Sequence, residues 1–170
     1  MFHITPRINF MKLISDNRPR AYASVQGEGE YSDVRGLVYL YEVPFGGILI
    51  EAEVFGLPDL PGEREPSFYG FHIHEFGDCS TGLQRTGGHY NPKNVKHPMH
   101  AGDLPPLPSS GGYAWLAYYN ANLELYDIVG RSVIVHRNSD DFRSQPSGDA
   151  GEKMACGVIT LADGPEPQRK

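Results

Sequence analysis

Residues 48–55, ILIEAEVF, place Ile48, Ile50, Ala52 and Val54 at every second position, with Glu51 and Glu53 between them. Period-two alternation predicts a β-strand with its apolar set turned to a core and its carboxylates turned away. Upstream, Leu37–Val43 (LVYLYEV) is rich in β-formers, and Ala21–Gly27 is a short candidate ended by Gly27-Glu28-Gly29. Downstream, strands are predicted at Phe68–Phe76, Tyr113–Tyr119, Leu123–Ile128, Arg131–His136 (RSVIVH) and Ala155–Leu161. Turn signals recur between them, and two long polar stretches, 77–113 and 137–152, interrupt the series. Seven or eight short strands in this arrangement read as an all-β sandwich or barrel. Loops of that length in a compact domain usually carry function.

The rest of the chain fits one domain. It has 170 residues, with 20 glycines and 14 prolines dispersed along it, a load that favours turns and short strands over long helices. Net charge is −6, which argues against a nucleic-acid binder, and no apolar run reaches the ~20 residues that span a bilayer. Residues 1–19 form an extension with an apolar patch from Ile8 to Ile14, read as a loose helix packed on the domain or as partly disordered. The main domain is expected over 20–161 and a tail over 162–170. Arg7, Lys12, Asp16, Arg18 and Arg20 break any secretory h-region. The expected location is cytoplasmic if the chain is full-length, and extracytoplasmic if a leader has been removed. Tyr39, Tyr41, Tyr113, Trp115, Tyr118 and Tyr119 read as strand packing with some exposed edges, and His3 as incidental.

The chemistry lies in the histidines. Six of the seven fall between residues 72 and 136. His72 and His74 stand two apart on one strand and share a face, with Phe71 and Ile73 turned to the core. Neutral imidazole is the commonest nitrogen ligand for zinc and copper. Taken alone, the pair reads equally as two exposed histidines on a strand edge. His89, His97, His100 and Asp103 follow as H-x7-H-x2-H-x2-D in the first long loop. Three imidazoles and a carboxylate suit tetrahedral zinc, which would order the loop. His136 ends its strand and would complete a four-nitrogen site with His72, His74 and His89.

Five motifs occur in order: Gly70-Phe71-His72-Ile73-His74-Glu75-Phe76-Gly77, Gly88-His89-Tyr90-Asn91-Pro92, His100-Ala101-Gly102-Asp103-Leu104, Val129-Gly130-Arg131-Ser132-Val133-Ile134-Val135-His136 and Gly151-Glu152-Lys153-Met154-Ala155-Cys156-Gly157-Val158-Ile159. Together they resemble the copper/zinc superoxide dismutase family over about residues 20–161. The resemblance implies an eight-stranded antiparallel Greek-key β-barrel with copper and zinc as cofactors. It assigns His72, His74, His89 and His136 to copper, and His89, His97, His100 and Asp103 to zinc, so His89 bridges the two. Asp140 matches the aspartate that links the two sets of histidines, and Gly70 and Gly87 match family glycines near the site. Cys79 and Cys156 match the disulfide of the family's bacterial branch, which Gly102-Asp103-Leu104-Pro105-Pro106-Leu107 also resembles; two free thiols are the alternative in a reducing compartment.

The implied reaction is disproportionation of superoxide to oxygen and hydrogen peroxide. Copper cycles between oxidation states and His89 shuttles a proton. Three departures from the family pattern stand out. Lys153 occupies the place of an arginine, keeping the charge without the rigid fork, so it is expected to guide the anion but orient it less well. Only Pro98 and Met99 separate His97 from His100, which shortens the zinc loop. The loop from His136 to Lys153 is also short; Arg137 and Arg143 within it read as helpers for the anion or as solvated surface charge. The net charge matters little to a substrate near copper, since charges beyond about 8 Å are largely screened at physiological salt. The resemblance admits a homodimer and a copper-donor protein as partners. A non-catalytic copper- or zinc-binding relative is the alternative function. A cupin-type barrel also uses His-x-His but needs a glutamate that Phe76, Gly77, Asp78 and Cys79 do not supply.

Overall fold

The computed structural model describes residues 6–16, 18–58, 67–80 and 82–162. His3 and the tail beyond Ala162 lie outside the described residues. Among the described residues, nine strands form one antiparallel sheet: β1 (Ala21–Gly27), β2 (Arg35–Glu42), β3 (Ile48–Phe55), β4 (Ser67–Tyr69), β5 (Phe71–His74), β6 (Leu107–Ser110), β7 (Tyr113–Asn120), β8 (Ser132–His136) and β9 (Lys153–Leu161). The order across the sheet is β4-β6-β7-β3-β2-β1-β9-β8-β5. The two edge strands, β4 and β5, are consecutive in the chain and meet at Gly70, so the sheet closes into a barrel there. Closure removes the exposed edges an open sheet would present. Gly70 donates to the Asn138 carbonyl (2.7 Å) and accepts from the His136 N–H (2.8 Å). A Cβ at this position would stand 2.9 Å from the Cβ of Ala150, so the close approach needs glycine.

The break at Gly70 explains why nine strands appear where eight were expected. The predicted strand Phe68–Phe76 is two, each pairing with a different neighbour. Two further differences are local. Leu123–Ile128 is not a strand; a helical turn, α2 (Leu125–Ile128), buries Leu125 and Ile128 instead. The long stretch 77–113 contains β6, which pairs with both β4 and β7.

The barrel interior holds the alternating sets foreseen for β3 and β5. Ile48, Ile50, Ala52 and Val54 are buried together with Phe71 and Ile73. Val133 and Val135 of β8 join them from the neighbouring strand. Glu51 departs from its expected outward exposure. It is only 3 % exposed and accepts hydrogen bonds from Tyr41 Oη (2.9 Å) and Trp115 Nε1 (3.2 Å). The cover on this outer face comes partly from the extension. Helix α1 (Pro6–Asp16) opens with proline, which is tolerated at a first helical position, and packs Phe10, Leu13 and Ile14 against Tyr39, Tyr41, Val43 and Leu49. Positions i, i+3 and i+4 share one helix face, so three residues suffice for the contact. The strands at the two ends of the barrel sequence also pair: Ala21 of β1 stands opposite Leu161 of β9.

A bulge sets up the site. The register of β8 against β9 shifts between Val135 and His136, so that Val135 faces Ala155 but His136 faces Lys153. Met154 is the extra residue, and Met154 and Ala155 both lie in the core. Without the bulge, simple alternation would turn Lys153 inward; with it, Lys153 shares the outer face with His136.

Candidate metal centre

His72 and His74 project from the outer face of β5, opposite to Phe71 and Ile73, and yet they are buried, at 0 % and 2 % exposure. Two loops cover them. Residues 88–103 lie along β5, with isolated bridges His72↔Asp103 and His74↔His89. The Ile73 N–H donates to the Gly102 carbonyl (2.9 Å), and the Tyr90 N–H donates to the Ile73 carbonyl (2.8 Å). The second loop, 137–152, brings Asp140 in from the other side.

Four imidazoles converge beneath these loops. His72, His74, His89 and His136 each offer a nitrogen, all within 4.8 Å of one another. A second set, His89, His97, His100 and Asp103, meets the same limit. His89 belongs to both, with ring centroids 3.9 Å from His72 and 5.6 Å from His100. Every metal-ligand candidate named from the sequence is therefore in one of two adjoining clusters.

The hydrogen bonds determine which nitrogen of each ring is free. His74 Nδ1 faces the Gly87 carbonyl (3.0 Å) and His136 Nδ1 faces the Gly151 carbonyl (3.2 Å). Carbonyls only accept, so both Nδ1 atoms carry the proton and both Nε2 atoms present lone pairs. Those two lone-pair nitrogens lie 3.2 Å apart. Asp140 accepts from Nε2 of His72 (2.8 Å) through one oxygen and from Nε2 of His97 (2.9 Å) through the other. That leaves Nδ1 of His72 and Nε2 of His89 buried without a hydrogen-bond partner; Nδ1 of His97 also makes no hydrogen bond and lies 3.1 Å from Asp103 Oδ2. Nδ1 of His89 lies 2.7 Å from Asp103 Oδ1, and Nδ1 of His100 lies 3.2 Å from the same oxygen.

Unpartnered buried polar atoms are costly, and lone pairs that face one another at contact distance are more so. A cation among them removes the cost. The donor sets fit: four imidazole nitrogens suit copper, and three imidazoles with a carboxylate suit zinc. Asp140, Gly87 and Gly151 fix tautomer and ring direction, as outer partners of metal-binding histidines do.

Charge states agree with this geometry. Burial, reinforced by the nearby His136, pushes His74 down to about 2. Burial and the nearby His72 push His136 down to about 3. Burial also lowers His72, although Asp140 opposes it. These rings are neutral near pH 7, the form that binds metal. Burial pushes Asp140 up, but hydrogen bonds from His72, from the Phe142 N–H and from His97 outweigh it and hold the carboxyl at about 2. Asp103 is likewise held low against its burial by His89 and by the His100 N–H. Gly148 permits the approach of loop 137–152. It has φ +70°, and a Cβ there would lie 2.1 Å from Asp140 Oδ1.

Cys79 and Cys156 form a disulfide, with Cα atoms 5.7 Å apart. It packs with Leu83 and Ile134 on the outer face of β8 and β9. Lys153 lies nearby, half-buried, with its ammonium on Thr86 Oγ1 (2.8 Å), the Gly87 carbonyl (3.0 Å) and the Leu83 carbonyl (3.3 Å). Burial lowers its pKa. Arg143 is exposed and Arg137 is partly so. The roles of Thr86 and of the carbonyls at Leu83 and Gly151 were not foreseen, because backbone acceptors leave no trace in residue type.

Comparison with known proteins points the same way. The family model for copper/zinc superoxide dismutase matches residues 34–159. Superoxide dismutase [Cu-Zn] A of Xenopus laevis is 33% identical over 155 residues, covering 82% of this chain and 96% of that protein. The extracellular superoxide dismutase [Cu-Zn] of Mus musculus is 38% identical over 135 residues, 74% of this chain, and the match spans about half (53%) of that longer protein. At lower identity, the copper chaperone for superoxide dismutase of Rattus norvegicus matches over 161 residues, 29% identical, covering 87% of this chain and 55% of that protein. Among solved structures, the crystal structure of the clock protein EA4 superposes with a TM-score of 0.71 at 30% identity, covering 84% of this chain and 95% of that one. With its two histidine clusters sharing His89 and its family match running through most of the barrel, the chain belongs to the copper/zinc superoxide dismutase family.

Proposed function

We propose that the chain is a superoxide dismutase, disproportionating two superoxide anions and two protons to oxygen and hydrogen peroxide. The observation that carries this reading is the position of His89, with one ring nitrogen toward each cluster. His72, His74, His136 and Nε2 of His89 would hold copper, and His97, His100 and Asp103 would hold zinc with Nδ1 of His89. Copper, when bound, would supply the one-electron exchange in both half-reactions, and zinc, fixed in one oxidation state, would supply positive charge beside His89. Nε2 of His89 would take a proton from solvent in the first half-reaction and give it to the reduced substrate in the second, with solvent supplying the other proton of hydrogen peroxide. Asp140 keeps His72 and His97 in the tautomers that ligation needs, and the buried Nδ1–H bonds of His74 and His136 do the same for those rings.

The test is metal analysis of protein produced with copper and zinc both supplied, beside a superoxide consumption assay on the same sample. His72→Ala should lose copper and turnover while keeping the fold. Unchanged turnover in that variant rules out the ligand set. A second reading, a non-catalytic metal-binding member of the family, is favoured by the match to a copper chaperone. Copper-loaded protein that leaves superoxide untouched would establish it.

A further inference from the structure

Lys153 stands where the resemblance puts an anion-guiding residue, yet its surroundings point elsewhere. An ammonium has three N–H donors and no more. Three acceptors surround Lys153 Nζ: Thr86 Oγ1 at 2.8 Å, the Gly87 carbonyl at 3.0 Å and the Leu83 carbonyl at 3.3 Å. Thr86 is fully buried and gives its own hydroxyl proton to the Leu83 carbonyl (2.8 Å), so its oxygen is free to accept from lysine. All three protons are directed into the protein.

The segment that receives them needs the help. Between Leu83 and Gly87 the backbone makes one tight 3-10 turn, and its N–H bonds, Thr86 to Leu83 and Gly87 to Gln84, are long at 3.4 Å. Leu83 has φ 51°, a left-handed conformation unfavourable for a leucine. The turn is tied down at its start by Glu28, whose two carboxylate oxygens accept from the Gly82 N–H, and by the Cys79–Cys156 disulfide. Its far end rests on Lys153. That end matters because the Gly87 carbonyl accepts from two donors, Lys153 Nζ and His74 Nδ1.

We propose that Lys153 is a positioning residue: its ammonium clamps the 83–87 turn to β9 and, through the Gly87 carbonyl, sets the ring of His74. An incoming anion feels its charge but receives no hydrogen bond from it. This rests on the copper-centre reading only where copper is the probe. An arginine at the same place would bring five donors to three acceptors and leave two for an anion.

The experiment compares the parent protein with Lys153→Arg and Lys153→Met. Azide, a small anion that ligates Cu(II), is titrated into copper-loaded protein and followed by its charge-transfer absorption. The Cu(II) paramagnetic resonance spectrum reports the ligand geometry. Amide exchange at residues 83–88 is read on metal-free protein. Lys153→Arg should bind azide at least fivefold more tightly than the parent, with exchange at 83–88 unchanged. Lys153→Met should speed that exchange at least tenfold and alter the Cu(II) spectrum. The proposal is overturned if Lys153→Arg binds azide within twofold of the parent, or if Lys153→Met leaves both exchange and spectrum unchanged. Should Lys153→Met fail to fold, the arginine variant still decides. Absence of a nitrogen-ligated Cu(II) signal in the parent would overturn the copper-centre reading, while the exchange measurement would still judge the clamp.

Discussion

Replacing Asp140 with asparagine changes few atoms and strikes both clusters at once. The parent carboxylate is 4 % exposed and accepts from His72 Nε2, His97 Nε2 and the Phe142 N–H at 2.8, 2.9 and 2.7 Å. Asparagine keeps one acceptor oxygen and turns an NH2 donor toward one of the two histidine N–H groups, which are donors themselves. One charge-assisted bond is weakened and another becomes a donor–donor contact. At roughly 1.5–3 kcal/mol for each bond to a charged group, metal-free protein should lose about 3 kcal/mol. For a chain of this size that lowers Tm by roughly 6–12 °C. Loss of an outer partner typically costs ten- to hundredfold in metal affinity, and both copper and zinc should show it because His72 and His97 serve different clusters. Chelator competition for each metal and calorimetry of the metal-free protein are the assays. The sign with pH is fixed by the depressed carboxyl. The contribution of Asp140 is complete above its ordinary value of 3.8 and fades as pH falls through about 2, so parent and variant should converge in that window. A folded variant that binds both metals within twofold of the parent would refute the claim that Asp140 orients the two rings.

Gly148→Ala should reproduce much of this loss, since its Cβ would collide with Asp140 Oδ1 and lie 2.7 Å from His97 Nε2; zinc affinity by chelator competition checks it. Metal-free protein should lose stability as pH drops below about 6.5, because unfolded histidines take up protons that His74 and His136, held at about 2 and 3, refuse until far lower pH. Acid unfolding curves that are flat between pH 6.5 and 4 would contradict this. Reducing Cys79–Cys156, which spans 77 residues, should remove about 4–5 kcal/mol on the chain-entropy account, measured by denaturant unfolding with and without reductant. Phe10→Ala should cost about 1–2 kcal/mol, less than a fully buried phenylalanine, by emptying the aromatic contact with Phe45 and Tyr119, and should leave metal affinity unchanged.

Alternation made β3 readable in advance, where Ile48, Ile50, Ala52 and Val54 alternate with Glu51 and Glu53. Arg131–His136 was legible instead as a short β-branched run, and the ordered motifs named the residues that gather in the two clusters. The misses have separate physical origins. Strand β6 is four residues, Leu107-Pro108-Ser109-Ser110, with a proline inside, too short and too polar for any periodicity to show. The split at Gly70 is a change of partner, which local sequence does not encode. Leu123–Ile128 has apolar residues at spacings that suit either a short strand or one helical turn, and packing chose the turn. Glu51 reads as solvent-facing until tyrosine and tryptophan donors from neighbouring strands are seen to reach it. At the site, residue types showed which side chains gather, but not which ring nitrogen is free. That depends on carbonyls at Gly87 and Gly151. The direction of Lys153 depends on a bulge that moves one residue, Met154, into the core.

The pairing of Ala21 with Leu161 has a practical corollary. Beside it, the Ala162 N–H donates to the Arg20 carbonyl at 3.0 Å, so the polypeptide enters and leaves the barrel through one doorway. His136 and Lys153 pair at the opposite ends of β8 and β9, and Lys153 is eight residues from Leu161, or about 26 Å at the rise of a strand. Cargo fused at the doorway would hang away from the histidine clusters. A short bridge from 20 to 162 would seal the circle, freeing new termini to be cut elsewhere in a permuted barrel.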